Sequence, residues 1–178
     1  MPRLALVGNA QSLFSRRYGT EINEHDVIAR MNRAAILVTS FFSTVSHGNR
    51  TDAWFCWRSK EYETLTFKRP AFCMQMASWE ELDDPAVQLY PYDAFEALQA
   101  DLKAVPSTGL MVLDYLDQFT DFEVSAYGFD WKATPTFTDP KRETDKMLNG
   151  SGQLHNFALE KEYVKNRFFT SPRFTFRF

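Results

Sequence analysis

Cysteine is scarce in this chain: two residues, Cys56 and Cys73, among 178. Both sit in apolar runs, AWFCW and PAFCMQM, where a free thiol packs as a small hydrophobe. A chain of this length can bury a core without disulfide staples. Histidine is nearly as scarce, with three residues, and no HxxxH, CxxC or EF-hand spacing occurs, so no metal is expected. Basic charge is not in excess either. Twenty Lys and Arg face 23 Asp and Glu, for a formal charge of −3. A general nucleic-acid binder is usually clearly basic, so nucleic acid is not an expected partner. No apolar run reaches membrane-spanning length, and no charged, apolar, small-residue leader precedes the first strand. The expectation is a soluble, cytoplasmic protein. Glycine fingerprints are missing too. The turn G-N-A-Q-S-L lacks the second and third glycines of a dinucleotide site, and no Gly-Lys-Ser/Thr follows. That weakens an oxidoreductase or ATPase reading.

What is present is aromatic and regular. Seventeen Phe and four Trp accompany an apolar fraction of 44%, an ordinary globular composition for one domain over residues 1–178. LALV (4–7) is a short unbroken apolar run, as expected of a strand covered on both faces. Further strands are expected at 26–32, 52–57, 70–76 and 122–129. Helices are expected at 10–17 with Ser12 as cap, at 93–105, at 110–119 and at 153–168. In the last of these, Leu154, Phe157, Ala158 and Val164 fall on roughly one face. Strands alternating with helices imply an α/β fold: a Rossmann-like α/β/α sandwich with a mostly parallel sheet.

Such sheets bind ligands beyond the carboxyl ends of their strands. Gly8-Asn9 ends the first strand, Asn32 the second, and Tyr127-Gly128 a later one. Gly8 permits a tight turn or a close ligand, and Asn9 offers both a donor and an acceptor. A plain strand-to-loop turn accounts for the pair equally well. Ser107, Thr108 and Gly109 open a helix, where free N–H groups and the dipole favour an anion; a simple N-cap is the other reading. His155 stands at the start of the last helix as either a general base or a structural side chain. His25 and His47 read as structural or surface residues.

Three segments together resemble a known family. LALVGN (4–9) with YGTEINEHDVIARMNRA (18–34) resembles the large sialylmotif of the animal-type sialyltransferases. PSTGLMVLDYLDQF and VSAYGF, within 106–129, resemble the small sialylmotif. HNFALE (155–160), a His followed five residues later by Glu, resembles the very small motif. All three occur in the family order. The resemblance implies an inverting, metal-independent glycosyltransferase with a variant GT-A fold and no cofactor. It would move sialic acid, or a related acid sugar such as Kdo, from a CMP conjugate to a glycan or glycolipid hydroxyl. Gly8, Asn9, Asn32, Ser107, Thr108, Gly109, Tyr127 and Gly128 match donor-binding positions, and His155 matches the catalytic base. Cytidine monophosphate leaves with a single phosphate, so a metal clamp is not required; helix N–H groups can meet its charge.

The chain also departs from the family pattern. Leu4 stands where the first motif cysteine is expected, which fits a reducing compartment and a bacterial relative. The third family motif begins with a histidine, whereas the nearest segment here is Thr136-Phe137-Thr138-Asp139; Lys141 or Arg142 could supply the lost donor. The chain is shorter than animal members, so the acceptor is open. A non-catalytic CMP-binding module is the alternative reading. Asp52 reads as a strand cap or a residue ordering the site. The tail RFFTSPRFTFRF (167–178) reads as a final edge strand, with a peripheral membrane contact as the other option.

Overall fold

The structure is a computed structural model that describes residues 1–37, 41–58, 70–77, 84–138 and 155–178. Seven strands form one sheet: β1 (Arg3–Val7), β2 (Val27–Met31), β3 (Ala53–Cys56), β4 (Phe72–Gln75), β5 (Gln88–Leu89), β6 (Glu123–Tyr127) and β7 (Phe174–Arg177). Their order is β5-β4-β3-β2-β1-β6-β7, and every neighbouring pair is parallel. The expected mostly parallel α/β architecture is therefore present. The helices are α1 (Gly19–Asn23), α2 (Ala34–Leu37), α3 (Phe41–His47), α4 (Tyr92–Leu102), α5 (Thr108–Phe119) and α6 (Phe157–Phe168).

The chain builds outward from β1 through β5, then returns to place β6 on the other side of β1. The strand order thus reverses between β1 and β6, which is where open α/β sheets form a crevice for ligands. One sheet face carries Leu4, Leu6, Met31, Phe55 and Met74 against Phe95 and Leu98 of α4, Leu113 of α5, and Val164 and Phe168 of α6. The other face packs Ala5, Val7, Ile28 and Tyr127 against Leu13 and Ile22. Each such large apolar side chain, fully buried, contributes about 1.5–3 kcal/mol. Helix α5 is apolar on most sides; its one buried carboxylate, Asp114, accepts from Tyr90 Oη at 2.9 Å and Gln118 Nε2 at 2.7 Å. Those donors offset the cost of burying it.

Several local expectations change. Residues 11–15 form a 3-10 turn after Ala10, and Ser12 does not cap it. Instead Ser12 Oγ donates to Asp130 Oδ2 at 3.2 Å, tying the turn to the loop after β6. Helix α4 stops at Leu102 because Lys103 takes a left-handed φ of 50°. Helix α6 buries Glu160, Val164 and Phe168, while Ala158 is exposed. Leu154 lies outside the described residues, as do Asp139, Lys141 and Arg142. Both cysteines are buried and neither forms a disulfide. The tail forms the edge strand β7. Among the described residues no helix is long and apolar enough to cross a membrane.

Candidate functional site

All seven strands run the same way, so Asn9, Asn32, Trp57 and Gly128 share one edge of the sheet. Val7 pairs with Arg30 and with Tyr127 in register, so the residues that follow emerge side by side. Gly8 N donates to Tyr127 O at 2.7 Å, and a Cβ on Gly8 would sit 2.5 Å from Gly128 O. Only glycine permits this approach of β1 to β6. Gly128 itself has a φ of 69° and presses on Leu13, so both glycines are dictated by the turn.

Asn9 follows. Its backbone carbonyl accepts from Phe137 N at 2.9 Å, while its Oδ1 is buried and has no hydrogen-bond partner. Buried polar atoms are nearly always paired, so this oxygen is an acceptor in want of a donor. Asn32 is held more tightly. Its backbone is left-handed, with φ 49°, and its N donates to Phe55 O at 2.8 Å. Its Oδ1 accepts from Trp57 N at 2.8 Å, and its Nδ2 reaches Thr108 Oγ1 at 3.5 Å. Asparagine tolerates that backbone region better than most residues. The end of β2 is thereby tied to the start of α5.

Ser107 caps α5, its Oγ accepting from Leu110 N at 3.3 Å. The same Oγ donates to Glu160 Oε2 at 2.6 Å, and Ser107 N donates to Glu160 Oε1 at 2.7 Å. Ser107 is thus committed to α6. The N–H groups of Thr108 and Gly109, in the first turn, have no intrahelical acceptor. Glu160 is buried, and burial pushes its carboxyl above the ordinary range. The Ser107 donors and the charges of His155 and Lys132 pull the other way.

His155 precedes α6, whose cap is Asn156, with Oδ1 accepting from Leu159 N at 3.2 Å. His155 Nδ1 lies 2.9 Å from Val105 O. A carbonyl only accepts, so Nδ1 carries the hydrogen and the neutral ring keeps its lone pair on Nε2. Contacts through Asn32, Thr108, Ser107, Glu160 and Val105 therefore join Asn32 to His155 without a break. Tyr127 is set apart. Its ring lies in the core opposite α5, its hydroxyl donates to Glu21 Oε1 at 2.9 Å, and only its carbonyl serves the edge. Burial, first, and Glu21 push that hydroxyl well above its usual range.

Glu160, the acid of the very small motif segment, serves structure here through its grip on Ser107. Trp57 and Val105 were not read as site residues: both act through backbone atoms that no side-chain pattern reveals, and Val105, expected on the apolar face of a helix over 93–105, lies beyond the end of α4. Asn156, a cap residue three before Leu159, was readable from its type. Thr136 pairs with Ala10 through an isolated antiparallel bridge, which sets the third-motif segment beside Asn9. Asp52 acts as a strand tie: its Oδ2 accepts from Ile28 N at 2.8 Å. Among the described residues no three His, Cys, Asp or Glu side chains cluster as a metal site would require.

Comparison with known proteins agrees with the motif reading. The profile of glycosyltransferase family 29 (sialyltransferase) matches residues 2–84, a little under half of the chain. No curated protein matches by sequence. A mammalian sialyltransferase solved with Gal-beta-1-3GalNAc-ortho-nitrophenol superposes with a TM-score of 0.65 at 15% identity, over 99% of this chain and 69% of that one. Another structure of a mammalian sialyltransferase gives 0.64 at 16% identity, over 99% and 68%. A sialyltransferase from Campylobacter jejuni, in complex with the substrate analogue CMP-3FNeuAc, gives 0.61 at 12% identity, over 99% and 81%. The large-motif region thus carries the family signature, and the whole described chain carries the fold. The small and very small motif segments lie beyond the matched residues.

Proposed function

We propose that the protein transfers sialic acid, or a related acid sugar such as Kdo, from its CMP conjugate to a glycan hydroxyl, with inversion and without a metal. The observation that carries this reading is the convergence of three separated sequence motifs on one sheet edge, at the point where strand order reverses. In this scheme the nucleotide lies across the ends of β1 and β2. A donor group of the nucleotide satisfies Asn9 Oδ1, which is otherwise orphaned. The Asn32 amide stays fixed by Trp57 and Thr108.

The leaving phosphate faces the start of α5, where the Thr108 and Gly109 N–H groups and the positive helix end meet growing charge. His155 accepts the proton of the acceptor hydroxyl on Nε2 while the oxygen attacks the anomeric carbon from the opposite face. The Val105 carbonyl holds the ring in that tautomer. Glu160, gripping Ser107, fixes α6 against α5 and so the spacing between base and phosphate. It is a positioning residue.

The test uses the whole protein, CMP-sialic acid and CMP-Kdo. The expected outcome is CMP release with one of them, and a raised melting temperature with CMP but not with NAD. A thermal shift with CMP and no release from either donor, over a broad acceptor panel, would support a non-catalytic CMP-binding module instead. That second reading is favoured by one feature, a third-motif segment, held beside Asn9 by the Ala10–Thr136 bridge, that has Thr136 where the family motif begins with a histidine.

A further inference from the structure

The loop after β6 holds two consecutive non-glycine residues in the left-handed region, Trp131 at φ 51° and Lys132 at φ 64°. A bulky residue there is a true outlier, and such strain persists only where the surroundings enforce it. They do. Asp130 Oδ2 accepts from Thr134 N at 3.1 Å and from Thr134 Oγ1 and Ser12 Oγ, closing the loop on itself and on the turn after β1. The enforced conformation turns Trp131 toward the end of β7. Its ring lies 5.6 Å from Phe178 and 6.4 Å from Phe169, and Phe169 lies 4.8 Å from Phe176. Trp131 is half-buried, and Phe169 keeps 43% of its surface exposed. The Lys161 ammonium stands 5.4 Å from the Trp131 ring centre.

This aromatic shelf is not remote from His155. Lys132, next in sequence to Trp131, places Nζ 5.8 Å from the Phe157 ring, and Phe157 lies 5.6 Å from the His155 ring. Trp131 follows the carboxyl end of β6 and Phe178 that of β7, on the edge that holds Asn9 and Asn32, while Phe169 follows α6 and reaches them from the side of β7. None of these aromatic rings takes part in the donor site described above.

We propose that Trp131, Phe169 and Lys161 form the acceptor subsite, and that it takes an acidic oligosaccharide. This rests on the glycosyltransferase reading and deepens it. A pyranose presents a flat face of C–H groups that packs on an aromatic ring, and its carboxylate or phosphate meets the Lys161 ammonium. A neutral apolar peptide would gain nothing from Lys161, and a simple anion would gain nothing from the rings. The attacking hydroxyl must reach His155, and an oligosaccharide is long enough to run from Trp131 past Lys132 and Phe157 to that imidazole.

The test measures binding, with CMP present, of 3′-sialyllactose, a Kdo disaccharide and lactose by saturation-transfer NMR. Wild type, Trp131→Ala, Phe169→Ser and Lys161→Ala are compared, each first checked for an unchanged melting temperature and thermal shift with CMP. At least one acidic sugar binds wild type more tightly than lactose does. Trp131→Ala and Phe169→Ser weaken that sugar by about fivefold to tenfold, the scale of an aromatic contact. Lys161→Ala removes the preference over lactose. Absence of acidic-sugar binding to wild type, or equal binding by the Trp131→Ala and Phe169→Ser variants, overturns the proposal. Binding to phosphatidylglycerol vesicles that Trp131→Ala abolishes, without oligosaccharide binding, makes the shelf a membrane contact and also overturns it. Loss of the CMP thermal shift in wild type fails the parent reading, whereas a retained CMP shift with no sugar binding fails this one alone.

Discussion

The two edges of the sheet are built on opposite plans. At the amino edge, polar groups close on one another. Arg3 N and Nη2 reach Asp26 Oδ2 and Glu24 O, both at 2.7 Å, and Arg50 joins Asp52 at 2.8 Å while reaching His25 O at 2.6 Å. Arg173 donates to the carbonyls of Leu116, Asp117, Thr120 and Phe122 around the end of α5. At the carboxyl edge, Asn9 Oδ1 has no partner, and Asn32, Trp131 and Lys132 hold left-handed backbones. One edge satisfies its groups locally and fastens the helices. The other leaves an acceptor unpaired and maintains strain, the arrangement of a surface completed by something outside the chain.

The largest expected effect breaks the comparison at the carboxyl edge. His155→Ala lowers kcat by about 10²- to 10⁴-fold, the range for losing a general base. The melting temperature and the CMP thermal shift stay the same, because the ring contributes one hydrogen bond, to Val105 O. Initial rates of CMP release at saturating donor measure it. A rate equal to wild type removes His155 from the mechanism.

The counterpart at the amino edge is Arg173→Leu. Its guanidinium is the shared donor for the last carbonyls of α5, groups a helix leaves unpaired. Losing it costs about 2–3 kcal/mol, since several partly buried acceptors lose a charged partner at once. That lowers the melting temperature by roughly 4–12 °C for a chain of this size. CMP affinity measured well below the transition stays within about twofold of wild type, far under the tenfold that 1.4 kcal/mol represents. A large loss of CMP affinity would mean the two edges are not independent.

A third effect, spread over more than two pH units, appears between the edges. His47 is fully buried, with its ring 4.8 Å from Phe14 and 4.7 Å from Phe137 and its Nδ1 2.6 Å from Ser46 Oγ. Burial, and then the Arg30 charge, lower its pKa from 6.5 to about 4. The unfolded chain therefore takes up this proton first as pH falls. The contribution of His47 to stability is whole above 6.5, declines between 6.5 and about 4, and is gone below. One proton limits the slope to about tenfold in the folding constant per pH unit. Urea unfolding at several pH values reads it, and His47→Phe flattens the curve in that window. An unchanged slope in the variant would assign the acid sensitivity to carboxylates.

Much of the sheet was legible because its strands are short apolar runs covered on both faces: the expected strands at 4–7, 26–32, 52–57, 70–76 and 122–129 overlap β1, β2, β3, β4 and β6. Strand β5 escaped notice, being two exposed residues, Gln88 and Leu89, with no apolar run to mark it. Helices α1 to α3 are only four to seven residues long, too short for a helical period to mark them; α1 lies inside the segment 18–34 read as a motif. At the site, residue types were readable and their partners were not. Ser107 was visible as a cap, but its bond to Glu160 joins residues 53 apart. The left-handed Trp131 is invisible in sequence, since its cause is Asp130 bonding to Ser12 across the β1–β6 crossover.

The smallest expected effect sharpens the comparison most. Gly109 occupies the first turn of α5, and an added Cβ there meets Phe129 Cε1 at 3.1 Å. Alanine favours the helix over glycine by up to about 1 kcal/mol, less in a first turn. Against this, Phe129 must yield by a few tenths of an ångström; it is half-buried and touches Phe176, so it has room to do so. The two terms nearly cancel, and Gly109→Ala changes stability by no more than about 0.5 kcal/mol, as for a tolerated substitution. CMP affinity, in contrast, falls by about threefold or more if a phosphate packs on the bare Gly109 backbone, the role glycines take where a ligand approaches closely. Isothermal titration with CMP beside a thermal melt separates the outcomes. A change felt by the ligand and not by the fold marks the carboxyl edge as built for an anion. A loss near 2 kcal/mol with unchanged CMP affinity would instead place Gly109 with the packing residues, and the contrast between the edges would lose its phosphate-facing turn.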